Sequence, residues 1–287
     1  MKALVLAGGA EKCAFSTGVI KYLLGDLGLN YDAYIGSSAG TINAAFLAQF
    51  KSGQEKEAAD KLEGLWANLT PDKVFQNWFL FGRLAGIWKS SIYNSKPLLK
   101  LIEKTISLKK IRSSGKITIA GAVSVDSGKY TCFHPSHPDF LKAIAASATF
   151  PGAFTPVRID NHYFIDAGIK QCSPLEQAIQ MGATEITLVL TSPEMRVKRF
   201  NGSPASIEVV FRALDLTTDK ILSNDLDKVL IYNKLAKAGL TDKKEIQIQI
   251  IRPDNNLTDN ILKFDPGHIR DMINIGYATA KRLHKTV

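Results

Sequence analysis

The first fifty residues carry one pattern twice: a short apolar run, a glycine-containing turn, then a helical repeat. Residues 3–6 read as a buried strand and Gly8-Gly9-Ala10-Glu11-Lys12 as a loop. Phe15, Val19, Ile20, Leu23 and Leu24 then recur at helical spacing, with Gly25 and Gly28 closing the helix. Residues 32–35 form a second strand that enters Gly36-Ser37-Ser38-Ala39-Gly40, and a stretch rich in small and apolar residues runs on through Ala45, Phe46, Leu47 and Ala48. Successive strand–turn–helix units need parallel strands joined by crossover helices. The chain is therefore expected to be α/β, with a mostly parallel central sheet flanked by helices. Both turns then fall at the carboxyl ends of their strands, where such sheets bind ligands.

The second turn has the spacing Gly-x-Ser-x-Gly. A serine on a sharp strand-to-helix turn has its oxygen pushed into a pocket, and its neighbours must lack bulk. The helix behind it presents free amides and a positive dipole end to a developing anion. Ser38 is accordingly a candidate nucleophile; the competing reading is a plain Gly/Ser-rich turn. Amides of the first loop likewise suit a phosphate or an oxyanion above their helix.

Further along, Leu62, Leu65, Trp66 and Leu69 mark one face of a charged helix. Residues 74–89 are unusually aromatic and end in basic residues, so they read either as a flap touching a lipid interface or as a loop packed on the core. Ser95-Lys96-Pro97 opens another helix. Residues 117–125 alternate as a strand, turn at Asp126-Ser127-Gly128 and return over 129–133 as a hairpin. Cys132, His134 and His137 have no completing ligand, and a loop reading is preferred to a zinc site. A helix over 140–148 precedes a strand at 162–165 that ends in Asp166-Ala167-Gly168. Asp166 is either a turn aspartate bonded to its own backbone or an acid aimed into the cleft of Ser38. A near-continuous apolar strand over 185–190, one or two long helices over 207–240, an edge strand around Ile246, Ile248 and Ile250, and a final helix after Asp265-Pro266-Gly267 complete the chain.

At 287 residues the chain is long enough for a sizeable core. No apolar run approaches the roughly 20 residues that cross a bilayer, and the apolar start breaks at Gly8-Gly9, too early for a signal peptide. A soluble cytoplasmic protein, touching membranes at most peripherally, is expected. Cys13, Cys132 and Cys172 suggest neither a disulfide framework nor a metal site, and Cys13 reads as a small buried residue. A net charge of +9 favours anionic partners. No arginine-rich tract or nucleic-acid motif accompanies it, and charge alone does not choose among nucleic acid, an anionic membrane surface, acidic substrates and a merely solvated basic surface.

Three separated segments together resemble the patatin-like phospholipases, lipid acyl hydrolases. Leu4-Val5-Leu6-Ala7-Gly8-Gly9-Ala10-Glu11-Lys12-Cys13-Ala14-Phe15 is similar to that family's glycine-rich oxyanion loop. Gly36-Ser37-Ser38-Ala39-Gly40 is similar to its elbow, with Asn43 following. Residues 146–157 and Tyr163-Phe164-Ile165-Asp166-Ala167-Gly168 resemble the approach to its catalytic aspartate. The resemblance covers about 2–190 and implies a three-layer α/β/α fold over a single domain, 1–287. Residues from about 191 to 287 form a helical and strand extension without a recognised pattern.

The resemblance implies that Ser38 and Asp166 form a catalytic dyad cleaving fatty-acyl esters, phospholipids included, through an acyl-enzyme on Ser38. It implies an oxyanion hole at Gly8, Gly9 and Ala10, substrate contacts at Lys12 and Ala39, and neither cofactor nor metal. Ala10 and Cys13 stand where the family has glycines, and Ala167 where glycine is common. Ala10 would be strained if the loop needs positive φ there. Glu11 either points to solvent or, turned inward, opposes an oxyanion. The alternatives are a serine esterase with a Ser–Asp–His triad using His268 or His284, a sugar-nucleotide transferase or nucleotide-binding protein with Leu6-Ala7-Gly8-Gly9 as the start of its phosphate loop, and a catalytically weak lipid-binding or interaction protein on the same fold.

Overall fold

The computed structural model describes residues 1–77, 91–194, 206–241 and 244–285. Most of the aromatic stretch singled out above, from residue 78 onward, lies outside them. The strands are β1 (Lys2–Leu6), β2 (Ala33–Gly36), β3 (Ala120–Ser124), β4 (Tyr130–Phe133), β5 (Val157–Ile159), β6 (His162–Ile165), β7 (Glu185–Val189) and β8 (Gln247–Ile251). The helices are α1 (Cys13–Ile20), α2 (Ala39–Leu47), α3 (Glu55–Ala67), α4 (Pro71–Val74), α5 (Lys96–Thr105), α6 (Leu108–Ser114), α7 (Phe140–Ser147), α8 (Leu175–Gln180), α9 (Ser206–Lys237) and α10 (Pro266–Lys285).

The fold is α/β, and its central sheet is mixed. β3, β2, β1, β7 and β8 run parallel in that order, while β4, β5 and β6 join antiparallel. Side chains alternate across the strands. Leu4 and Leu6 of β1 and Tyr34 of β2 face one buried layer, with α1, α2, α3, α7 and α10. Ala3, Val5 and Ala7, with Ala33, Ile35, Ile186 and Leu188, face the other, under α8 and α9. Burial on both faces explains why β1, β2 and β7 read as unbroken apolar runs.

The antiparallel end positions the site. Ala120 pairs with both Gly36 of β2 and Phe133 of β4, and Val123 pairs with both Tyr130 of β4 and Ile165 of β6. β2 and β6 therefore share one edge of β3, opposite β4. β2 runs parallel to β3 and β6 antiparallel, so their carboxyl ends meet head-on. Whatever follows Gly36 is brought against whatever follows Ile165.

Residues beyond the sheet's first half are built into the same core. α10 lies against α1 with almost no side-chain spacer. A Cβ on Gly276 would sit 2.0 Å from the Phe15 carbonyl oxygen, and one on Gly18 1.8 Å from that of Ile273. Gly276→Ala is expected to destabilise by about 1–3 kcal/mol or more, because backbone atoms cannot yield as a side-chain end can. Gly64→Ala on exposed α3, where a Cβ meets nothing within 4 Å, is expected to stabilise by roughly 0.5–1 kcal/mol. Urea unfolding of the two variants checks the contrast.

Candidate active site

β2 ends at Gly36, α2 begins at Ala39, and Ser38 makes the bend between them with φ 53° and ψ −132°. Such a backbone is costly for a residue with a Cβ and persists only where its surroundings enforce it. Three glycines make room. A Cβ on Gly36 would lie 2.1 Å from the Gly40 carbonyl oxygen, and one on Gly40 2.5 Å from that of Leu6. A Cβ on Gly8 would lie 2.7 Å from Ser38 Cβ, so the first loop touches the Ser38 bend directly. Thr41 braces the bend: its hydroxyl is 2.8 Å from the Gly36 carbonyl and 2.8 Å from the Ser147 hydroxyl. Ser37 is buried and donates to the Gln171 carbonyl at 2.6 Å, whereas Ser38 is partly exposed. Of the two adjacent serines, only Ser38 faces reachable space.

The head-on meeting of β2 and β6 places Asp166 against Ser38, 128 residues away in sequence. The Ser38 hydroxyl donates to Asp166 Oδ2 at 2.7 Å, and the Gly168 N–H donates to Asp166 Oδ1 at 2.7 Å. The carboxylate of Asp166 thus faces two ways. One carboxylate oxygen closes a turn on its own backbone, and the other meets the serine. The Asp166 N–H donates to the Thr149 carbonyl at 3.0 Å, which fixes the main chain too. The carboxyl is 3% exposed. Burial pushes its pKa up to about 7, against the opposing pull of the Ser38 and Gly168 hydrogen bonds.

The glycine loop follows β1. Gly9 has φ 152° and Ala10 has φ 49°, so the strain anticipated for Ala10 is present. Among the described residues, the N–H groups of Gly9 and Ala10 have no intramolecular acceptor. The Ala39 N–H, in the first turn of α2, has none within its helix. The expectation for Gly8 is corrected: its N–H is spent on the Cys172 carbonyl at 3.1 Å, so its part is to admit Ser38 rather than to donate. The Thr191 hydroxyl holds the Gly8 carbonyl from the other side at 2.5 Å. Lys12 is partly buried and occupies the N-cap position of α1 without a side-chain capping hydrogen bond. Cys13 is fully buried beneath the loop, and burial pushes its thiol up, away from reactivity.

Glu11 takes neither anticipated direction. Its carboxylate is fully buried and turned to the C-terminal segment, where it accepts the Phe264 N–H at 2.9 Å and meets His268 Nδ1 at 3.2 Å. His268 Nε2 faces the Leu257 carbonyl at 3.1 Å, so both ring nitrogens are engaged away from Asp166. His284 packs against the Tyr22 ring, and His137 and His162 pair with Asp160 and Asp126. The Asp166 carboxylate is bonded to Ser38 and Gly168, not to an imidazole.

Gln171, Cys172 and Thr191, which hold the elbow and the loop, were not marked by any motif. They act through backbone atoms or one short hydroxyl, and nothing in sequence spacing flags that.

A family model described as patatin-like phospholipase matches residues 4–179. The chain is 24% identical over 283 residues to "Probable lipid hydrolase 463L" of Invertebrate iridescent virus 6, covering 86% of this chain and 90% of the relative. It is 23% identical over 193 residues to "Uncharacterized protein YjjU" of Escherichia coli (strain K12), covering 67% of this chain and 52% of that protein. Among solved structures, VipD from Legionella pneumophila aligns with 99% of this chain and 67% of its own, at a TM-score of 0.44 and 11% identity.

Proposed function

Because the chain belongs to the patatin-like phospholipase family, we propose that it is a lipid acyl hydrolase that cleaves fatty-acyl esters through a Ser38–Asp166 dyad. The observation that carries this reading is the 2.7 Å hydrogen bond from Ser38 to a buried, otherwise satisfied Asp166. A serine hydroxyl needs a base to become a nucleophile. A carboxylate whose pKa is raised to about 7 is a stronger base than an exposed aspartate and is still about half ionised at neutral pH.

In this mechanism Ser38 Oγ bonds to the ester carbonyl carbon as its proton passes to Asp166 Oδ2. The tetrahedral oxyanion is received by the N–H groups of Gly9 and Ala10, with Ala39 beside them at the helix end. The alkoxide leaves with the proton from Asp166, which leaves the acyl group on Ser38. Water then gives a proton to Asp166 and its oxygen to the acyl carbon. The fatty acid departs and Ser38 recovers its proton. A histidine triad finds no support, since His268 and His284 are occupied elsewhere.

The substrate side of the proposal is a phospholipid or another fatty-acyl ester, met at an anionic membrane surface and not on nucleic acid. Lys96, Lys100 and Lys104 lie one helical turn apart on exposed positions of α5, and exposed Lys109 and Lys110 follow on α6. Such a face attracts anionic lipid. Among the described residues no helix is long and apolar enough to cross a membrane. Residues after 190 belong to the same unit in this reading, and the enzyme works in the cytoplasm at the membrane surface.

Lipid mass spectrometry of membranes incubated with wild type and with Ser38→Ala tests the proposal. Wild type is expected to release free fatty acid and its deacylated lipid partner, and Ser38→Ala to release neither. Identical lipid profiles for the two proteins would remove the hydrolase reading.

A further inference from the structure

We infer that Glu11 and His268 form a buried latch by which the C-terminal segment sets the conformation of the oxyanion loop. Glu11 follows Ala10 directly, and its side chain is fully excluded from solvent. A buried carboxylate persists only where polar partners replace its water. Its partners come from one short stretch. Phe264 N–H reaches Oε2 at 2.9 Å and His268 Nδ1 meets Oε1 at 3.2 Å. The Glu11 N–H donates to the Ile261 carbonyl at 3.2 Å. The stretch is itself tied down, with His268 Nε2 on the Leu257 carbonyl at 3.1 Å and the His268 N–H on Asp265 Oδ1 at 2.9 Å. All of these partners lie beyond residue 179, outside the segment matched by the family model.

Strain marks both sides of the latch. Ala10, on the loop side, has φ 49°; Phe264, on the other, has φ 46° and a buried ring edge-on to Phe75. Neither is a glycine, and a bulky residue in this region is uncommon. Phe264 is held there with its N–H aimed at Glu11. Held at both its N–H and its carboxylate, Glu11 anchors the Ala10–Glu11 peptide, and with φ 49° at Ala10 that anchor sets the direction of the Ala10 N–H. The anion-facing donor is thereby set through a contact 253 residues away in sequence. Glu11 and His268 are positioning residues: they touch neither Ser38 nor Asp166.

Hydrogen-bond complementarity separates this role from a charge effect. The Leu257 carbonyl can only accept, so His268 Nε2 carries a hydrogen. A glutamine at position 11 can accept from Phe264 with its oxygen and donate to an unprotonated Nδ1 with its nitrogen, leaving every partner satisfied. An alanine leaves the Phe264 N–H and the imidazole unmatched.

The test uses the full chain as wild type, Glu11→Ala, Glu11→Gln and His268→Gln. The kinetic arm rests on the hydrolase reading; the exchange arm does not. Amide hydrogen exchange at Glu11 and Lys12, whose N–H groups are bonded to the Ile261 and Gly9 carbonyls, is expected to be at least about tenfold faster in Glu11→Ala and near wild type in Glu11→Gln, since protection follows local opening. On a soluble short-chain acyl ester, Glu11→Ala is expected to lose about 10²-fold in kcat with KM nearly unchanged, the scale of a misplaced oxyanion donor. Glu11→Gln restores kcat to within about threefold on the same argument. A merely structural contact would lower the melting temperature of Glu11→Ala and leave kcat intact well below it. If Glu11→Ala does not fold, the partly exposed His268→Gln carries the test, with faster exchange at residues 11 and 12. Unchanged exchange in folded Glu11→Ala or His268→Gln overturns the latch, as does Glu11→Gln falling as far as Glu11→Ala. An inactive wild type whose exchange still follows this order would overturn the hydrolase reading and leave the latch standing.

Discussion

Asp166→Asn is expected to lower kcat for acyl-ester hydrolysis by about 10⁴-fold with the fold intact, and Ser38→Ala to remove the acyl-enzyme altogether. The reason is geometric. Asparagine is isosteric and still accepts the Gly168 N–H, but it cannot take the Ser38 proton. The proposed dyad is also expected to set the pH dependence. Asp166 acts as a base only when ionised, and burial holds its pKa near 7. The rate is therefore expected to rise as pH climbs through about 7 and to fall about tenfold per unit below it. A kcat/KM profile flat from pH 5 to 8 would show that another group is the base.

The second large effect concerns stability and runs the other way. Folding raises the Asp166 pKa from 3.8 to about 7. Between those values the folded protein holds a proton that the unfolded chain has released. The contribution of this group to stability is fully present below the unfolded pKa and is lost as pH rises through the folded one. Above it, the folded state carries a buried, desolvated charge. Asp166→Asn removes that cost. The variant is expected to be more stable than wild type at pH 8 by up to ~4 kcal/mol, with the gap closing as pH falls toward 4. Urea titrations of both proteins at the two pH values measure it. A variant less stable than wild type at pH 8 would mean that the carboxylate is not under strain. The inactive enzyme is thus expected to be the sturdier one, as holds for many sites that keep a charge out of water.

The sequence disclosed the features that depend on neighbours in the chain. The two strand–turn–helix units appear as β1 to α1 and β2 to α2, and the strand expected over 162–165 is β6. Ser38 was marked by its flanking glycines, whose lack of bulk is required by backbone atoms close by. Other features depended on contacts that no local pattern encodes. The alternation over residues 117–125 is longer than β3 because Ile117 makes only an isolated bridge to Ala33, and Val125 turns outward. Asp166 looked like a turn residue because it is one; its contact with Ser38 appears only once β6 meets β2 along β3. Gly8 lost its place among the donors to a carbonyl at Cys172, and Glu11 found partners more than 250 residues away. Ala10, foreseen as a strained substitution, is strained, and the segment that holds it lies in the extension that carried no recognised pattern.

The central claim is that Ser38 is a nucleophile activated by Asp166. Incubation with a fluorophosphonate at pH 8, followed by mass spectrometry of peptides, tests it most directly. One covalent adduct is expected, located on Ser38, absent in Ser38→Ala and formed far more slowly in Asp166→Asn. An unlabelled wild type, an adduct on another residue, or labelling of Asp166→Asn at the wild-type rate would contradict the dyad.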